Sequence, residues 1–161
     1  GDAPVAAELQ ARISLSEAGM DWLWNEDAGA YCSRDATTHE SSGLVTNASF
    51  LAFNAGVGSA HQRARLIEGL GRLTASATYL LPSLEAGSRA YDHRRYWRGP
   101  VWLVVSYMVA QGLAAQGHAD GAERIRAESA RLIEASGFYE SFSPETGEGS
   151  GGPDFSWTAA M

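Results

Sequence analysis

Residues 100–116, PVWLVVSYMVAQGLAAQ, contain the longest uninterrupted apolar run of the chain, at residues 101–105. Proline is favoured at the first position of a helix because its missing N–H is not needed there, and this stretch begins with Pro100. The apolar residues continue around all sides of the helix that their spacing predicts, as far as about Gln116. A helix without a polar face must be covered in a soluble protein, so we expect an inner helix here.

The same alternation of helix types occurs three times along the chain. Amphipathic helices are predicted over residues 3–24, from the cap residue Ser59 onward and over residues 120–136. Each is followed by a long loop and a more apolar helix, which are ASFLAFNAG after the cap residue Asn47, the stretch 100–116, and FSWTAAM at residues 155–161. The period of roughly 50–60 residues is typical of a helical array.

This pattern predicts an all-α fold of about three helical hairpins. An amphipathic helix has one solvated face, so the first helix of each hairpin should lie outside and the second inside. The three long loops then meet on one rim of the array. Because a closed ring needs more than three hairpins, we expect residues 1–161 to form part of a larger toroid.

Composition and charge exclude several classes of function. A net charge of −7 argues against nucleic-acid binding, although all twelve basic residues are arginine and several lie at residues 94–98. No run approaches the ~20 apolar residues of a membrane span, so we expect no membrane partner and a cytoplasmic protein. Cys32 is the only cysteine, which excludes an internal disulfide and argues against a cysteine zinc site.

Aromatic residues and carboxylates concentrate in the loops of the predicted rim. Flat aromatic rings match the C–H faces of sugars, and carboxylates transfer protons or bind hydroxyl groups. Tyr96, Trp97 and Trp102 are therefore predicted to form a sugar platform, with core packing as the alternative role of Trp102. Arg98 is predicted to hold the turn, to bind an anionic group or to pair with a carboxylate.

The carboxylates of the rim differ in their surroundings. Glu140 lies in GFYESF among aromatic residues that could dry and orient it, which makes it the candidate for acid–base chemistry. Glu145 and Glu148 lie in a Ser/Gly/Thr turn and are predicted to be solvated. The first loop, NEDAGAYCSRDATTHE, lacks the oxygen spacing of a calcium loop and is interpreted as a solvated turn.

Three motifs resemble the C-terminal half of the (α/α)6-barrel glycosidases of glycoside hydrolase family 63. They are YWRGPVW at 96–102, GFYESFSPETGEG at 137–149 and GGPDFSWTAAM at 151–161, and the likeness extends over residues 47–161. Within that family the chain is most similar to bacterial mannosylglycerate and glucosylglycerate hydrolases. The resemblance implies that residues 1–161 are the C-terminal part of an (α/α)6 catalytic domain.

The resemblance also implies a reaction and a site. The family's inverting hydrolysis of an α-linked sugar on a small acceptor assigns the general base to Glu140. It assigns the sugar subsite to the YWRGPVW motif, with Tyr96, Trp97, Arg98, Gly99 and Trp102 as binding residues. No metal or organic cofactor is implied. The family's general acid is an Asp on an earlier part of the barrel whose motif is not matched here, and Asp92 is the first candidate within the chain.

Two other interpretations of the sequence remain open at this point. The chain could be a non-catalytic half-toroid whose unpaired hairpin edges bind a sugar, the missing half of the barrel or a second copy. It could also be a helical-repeat scaffold in which the aromatic residues have no binding role.

Overall fold

The apolar stretch at residues 100–116 contains a helix at the centre of the fold. The computed structural model describes residues 3–75 and 77–161, so Gly1, Asp2 and Ser76 of the predicted domain lie outside the described residues. The helices are α1 (Ala3–Leu23), α2 (Leu51–Ala55), α3 (Ala60–Ala75), α4 (Leu103–Ala115), α5 (Ala119–Ser136) and α6 (Ser156–Ala159). Short 3₁₀ turns span Asn47–Phe50 and Tyr96–Arg98.

The two inner helices, α2 and α4, pack directly against each other. Phe53 on α2 and Val109 and Leu113 on α4 are at most 1% exposed. Gly112 allows the closest approach, because a β-carbon there would lie 2.6 Å from Asn54 Cα and nearer still to the Phe53–Asn54 peptide. The helix predicted over 100–116 is thus confirmed as an inner helix, although it begins at Leu103.

The amphipathic helices α3 and α5 also form as predicted. Leu66, Leu70 and Leu73 form the buried face of α3, and Ala122, Ile125 and Leu132 form that of α5. Ser59 caps α3, because its hydroxyl accepts the Gln62 N–H at 3.2 Å while Gln62 Oε1 accepts the Ser59 N–H at 2.7 Å. Helix α5 ends at Ser136, before the predicted break at Gly137.

Helix α1 departs from the prediction. It spans almost the predicted residues, but none of them is buried. Met20 and Leu23 near its C-terminal end pack against the core, whereas Val5, Leu9 and Ile13 are each at least half exposed. Among the described residues nothing covers the apolar positions in the first two-thirds of α1.

The cap of the first inner segment was predicted one residue too late. Thr46, rather than Asn47, precedes the 3₁₀ turn, and its N–H donates to Ser49 Oγ at 3.2 Å. Asn47 is the first residue of that turn and is 2% exposed. The Ser three residues after Thr46 favours the earlier start, since it satisfies the backbone of the cap.

The long loops gather on one side, as the alternation of helices predicted. Two small hairpins lie within them: β1 (Trp24–Asn25) pairs with β2 (Ala30–Tyr31), and β3 (Ser141–Phe142) pairs with β4 (Gly149–Ser150). Isolated backbone bridges then join the loops in series, Thr46 to Leu84, Pro82 to Val101, and Val101 to Phe142. These contacts bring the aromatic and acidic motifs into one region.

The first hairpin also buries the single cysteine. Cys32 follows β2 and is 2% exposed. Burial raises the pKa of its thiol, so the reactive thiolate is disfavoured at neutral pH. Over residues 3–75 and 77–161 no helix is both long and apolar enough to cross a membrane.

Candidate active site

Three aromatic rings form a corner at the start of helix α4. The rings of Trp97 and Trp102 stack with their centroids 4.1 Å apart and their planes inclined by 10°. Tyr96 stands nearly perpendicular to both, at 86° to Trp97 and 84° to Trp102. Tyr96 is 58% exposed and Trp97 46% exposed, so the outer ring of the stack and the tyrosine border on solvent. A flat wall meeting an upright ring is a suitable surface for the C–H face of a pyranose.

Trp102 occupies the inner position of this corner. It is 1% exposed and belongs to the main core cluster, and its Nε1 donates to the Tyr96 carbonyl at 3.4 Å. Trp102 therefore packs in the core, which was the alternative role predicted for it. Its ring also supports Trp97 from behind, so it contributes to the corner without presenting an open face of its own.

Arg98 and Gly99 shape the turn that carries the corner. Arg98 Nε donates to the Ala90 carbonyl at 2.6 Å, which is the turn-holding role among those predicted for it. Gly99 is buried, and a β-carbon there would collide with the backbone of Asp92 and His93. Its N–H donates to the hydroxyl of the buried Ser83 at 2.9 Å. Both residues fix the loop, so the backbone that carries the exposed rings of Tyr96 and Trp97 is held in place.

Glu140 lies beside this corner, as the grouping of the motifs predicted. Its Oε1 accepts the Tyr96 hydroxyl at 3.5 Å, and the carboxylate is partly buried. Tyr96 itself has φ +33°, an uncommon value for an aromatic residue. Such a conformation persists where the surrounding structure holds the residue in it. Here that residue is Tyr96, which contacts Glu140.

The segment behind Glu140 restricts its side chain. Gly151 has φ +86°, and a β-carbon there would collide with the Glu140 carboxylate and its Cβ. Ser141 and Ser150, the next residues of the β3–β4 hairpin, join their hydroxyl groups at 3.0 Å. A glycine at residue 151 thus leaves room for the carboxylate, and the GEGSGG stretch at 147–152 was the sequence signal for this close approach.

Three other carboxylates, those of Asp92, Glu26 and Asp35, have structural partners. Asp92 Oδ1 accepts the Arg94 N–H at 3.0 Å, within its own turn. Glu26 accepts Trp24 Nε1 at 2.7 Å and contacts His61 Nε2 at 2.8 Å, and these two hydrogen bonds lower the pKa of Glu26. The backbone N–H groups of Thr38 and Thr37 lower the pKa of Asp35.

Within residues 3–75 and 77–161, no three His, Cys, Asp or Glu side chains are grouped to hold a metal ion.

Glu145 and Glu148 are exposed, as predicted for a solvated turn, and their carboxylates also contact residues of a distant loop. Glu145 Oε1 accepts the Tyr91 hydroxyl at 3.2 Å, and Glu148 Oε2 lies 3.0 Å from Arg94 Nη2. His93 Nδ1 is 2.8 Å from Ser143 Oγ and 3.8 Å from Glu145 Oε2. No local motif indicated these contacts, because their partners are 50 or more residues apart in sequence.

Comparison with known proteins places this geometry in a family. Residues 1–158 match the family described as the mannosylglycerate hydrolase MGH1-like glycoside hydrolase domain. The mannosylglycerate hydrolase of Thermus thermophilus is 40% identical over 96% of this chain and 37% of its own length. The glucosylglycerate hydrolase of Mycolicibacterium hassiacum is 41% identical over 50% of this chain and 18% of its own length.

A solved structure agrees with these sequence relatives. The family 63 mannosylglycerate hydrolase of Thermus thermophilus, crystallised in complex with glucose, superposes with a TM-score of 0.86 at 41% identity. The match covers 89% of this chain and 36% of that one, so the chain spans little more than a third of its relative. The helical hairpins of this chain are accordingly a segment of an (α/α)6 toroid. The chain belongs to the MGH1-like mannosylglycerate hydrolase domain family, within glycoside hydrolase family 63.

Proposed function

We propose that this chain carries the general-base part of an inverting α-glycosidase site. The observation that supports this most directly is the 3.5 Å contact between Tyr96 Oη and Glu140 Oε1, next to the exposed ring of Trp97. A carboxylate beside a sugar platform can accept a proton from water while the platform holds the ring. Tyr96 orients the carboxylate, and Trp97, supported by Trp102, shields the anomeric carbon from bulk water.

The proposed substrate is a small α-linked sugar conjugate such as mannosylglycerate or glucosylglycerate. Its class is taken from the named activities of the relatives in Thermus thermophilus and Mycolicibacterium hassiacum. An inverting site also needs a general acid, at about 6.5–9.5 Å from the base. We propose that this acid comes from an upstream part of the barrel, since Asp92 is engaged by its own turn.

The proposed reaction predicts the anomer that is released. When α-mannosylglycerate or α-glucosylglycerate is hydrolysed by a preparation containing this chain, the first sugar seen by NMR should be the β-anomer, because water attacks the face opposite the leaving group. Trehalose serves as the matched α-linked substrate with a sugar acceptor. First release of the α-anomer from either glycerate conjugate would contradict the inverting mechanism.

We also propose a partner for the uncovered face of α1. Val5, Leu9 and Ile13 follow one another at intervals of four residues, so they share one side of the helix. Fully burying one aliphatic side chain of this kind contributes about 1.5–3 kcal/mol of stabilisation, so burial of this face favours association. We infer that this face packs against a further hairpin of the barrel and, in the isolated chain, against a second copy.

Sedimentation velocity tests this partner. The isolated chain should sediment above its monomer mass of 17.1 kDa at high concentration. A Leu9→Glu/Ile13→Glu double variant should sediment as a monomer, since charges on the face oppose burial. Replacement of the exposed Glu17 by Gln, also on α1, is the control. Clean monomers of the unmodified chain would contradict the proposal.

A further inference from the structure

Two loops that are distant in sequence meet next to the candidate site. One is the stretch 77–102, which carries Tyr96 and Trp97, and the other is the stretch 137–155, which carries Glu140. The residues whose side chains join the outer part of the first loop to the second loop are called here the cross-loop clamp. They are Tyr91, His93 and Arg94 on the first loop and Ser143, Glu145 and Glu148 on the second.

Among the described residues, backbone hydrogen bonds join these loops only near the two ends of the first one. Val101 and Phe142 exchange two hydrogen bonds of 2.7 and 3.0 Å, and the Tyr79 N–H donates to the Pro144 carbonyl at 2.9 Å. Such contacts leave the outer part of the first loop free to tilt against the second. The clamp provides the side-chain contacts at that outer part, so it sets the angle between the loops.

On both loops, the clamp residues are close along the chain to residues of the candidate site. On the first loop, the Asp92 N–H donates to the Arg98 carbonyl at 2.8 Å and the Arg95 N–H donates to the Asp92 carbonyl at 3.0 Å. Tyr96 lies inside this closed turn, two residues after Arg94 of the clamp. On the second loop, Ser143 follows strand β3, which begins at the residue after Glu140.

The members of the clamp do not contribute equally. The Arg94–Glu148 pair is about two-thirds exposed on both sides, and such exposed ion pairs contribute little. Glu145 differs because Tyr91 and His93 contact its two oxygens. Tyr91 is partly buried, and burial together with the charge of Glu145 raises its pKa to about 12, so it remains a donor at neutral pH.

We infer that Tyr91, His93 and Glu145 are positioning residues, which hold the Tyr96 hydroxyl against Glu140 by fixing the angle between the two loops. This inference rests on the proposed function. The clamp residues act through Tyr96 and make no contact of their own with the sugar.

The first test follows the position of Tyr96 without any sugar. Trp102 Nε1 donates to the Tyr96 carbonyl, so its indole N–H signal in a ¹H–¹⁵N spectrum reports on that residue. Glu145→Gln and Tyr91→Phe should shift or broaden the Trp102 and Trp97 signals and leave those of Trp22 and Trp157 unchanged. Glu123→Gln, which removes an exposed ion pair to Arg126 on α5, is the matched control. Unchanged Trp97 and Trp102 signals in both clamp variants would overturn the inference.

The second test measures coupling between the clamp and Tyr96. Tyr91→Phe should weaken the binding of methyl α-D-mannoside roughly three- to tenfold, the range expected for one lost hydrogen bond. In a Tyr96→Phe background the same change should have less than about a twofold effect, because the hydroxyl that the clamp positions is gone. Equal effects in both backgrounds would make the clamp a purely structural contact and contradict the inference.

The two readouts separate the clamp from the proposed function. If the unmodified chain binds no methyl mannoside while the indole signals respond to Glu145→Gln, the sugar site is wrong and the positioning contact stands. If the sugar binds and the indole signals do not respond, the site stands and the clamp is wrong.

Discussion

Glu140→Gln is expected to lower kcat for the hydrolysis of α-mannosylglycerate, measured on this chain together with the upstream part of the barrel, by about two to four orders of magnitude, the usual contribution of a positioned general base. Glutamine cannot take the proton of the attacking water. It keeps an oxygen that can accept the Tyr96 hydroxyl, so the corner of aromatic rings should retain its geometry. Sugar affinity, measured by isothermal titration, should therefore change by less than about threefold.

The control for this result is Glu134→Gln, which makes the same chemical change at an exposed position of α5. It should leave kcat within about twofold of the unmodified protein, since surface substitutions rarely disturb a fold. Full activity of Glu140→Gln would exclude Glu140 as the base. A parallel loss of affinity and kcat would instead indicate that the substitution had disrupted the platform.

Gly112→Ala is expected to lower the free energy of unfolding by about 3 kcal/mol, at the upper end of the cost of overpacking. The added methyl group would collide with the backbone of α2 at Phe53 and Asn54, and backbone cannot rotate away as a side chain can. For a chain of this length the midpoint of thermal unfolding should fall by roughly 10 °C. Thermal melts followed by circular dichroism measure both quantities.

Gly121→Ala makes the same change on α5, where the new methyl group would lie 3.7 Å from Leu113 Cδ1. That distance is ordinary contact, and alanine favours the helix over glycine by about 1 kcal/mol. The control should therefore be neutral or stabilising. Equal stability of the two variants would mean that the inner helices do not approach as closely as the structure has them.

The helices were predictable because their signals are local. The periodic leucines of α3, the cap at Ser59 and the apolar stretch of α4 each lie within one element, and the structure confirms them. The first inner segment shows the limit of such local signals. Asn47 is the stronger cap candidate by residue type, yet Thr46 is the cap in the structure. The exposed face of α1 shows another limit, because periodicity predicts an apolar face without saying what covers it.

The candidate site was predictable only in part, for a similar reason. The order of the motifs indicated that Tyr96, Trp97 and Glu140 share one region, which the contact between Tyr96 and Glu140 supports. Nothing in the sequence indicated that Trp102 stacks behind Trp97, or that Tyr91 reaches Glu145 across 54 positions. Such contacts depend on how the loops fold over each other, and no short pattern records that.

The burial of Cys32 has a practical consequence for studying the rim. Because its thiol is 2% exposed and its pKa is raised by burial, maleimide reagents should react slowly with it in the folded protein. A second cysteine introduced at an exposed position, such as Arg89 on the first loop of the clamp, can then be labelled selectively in the native background. A fluorophore at that position would report the motion of the loop directly, with every native residue of the aromatic corner unchanged.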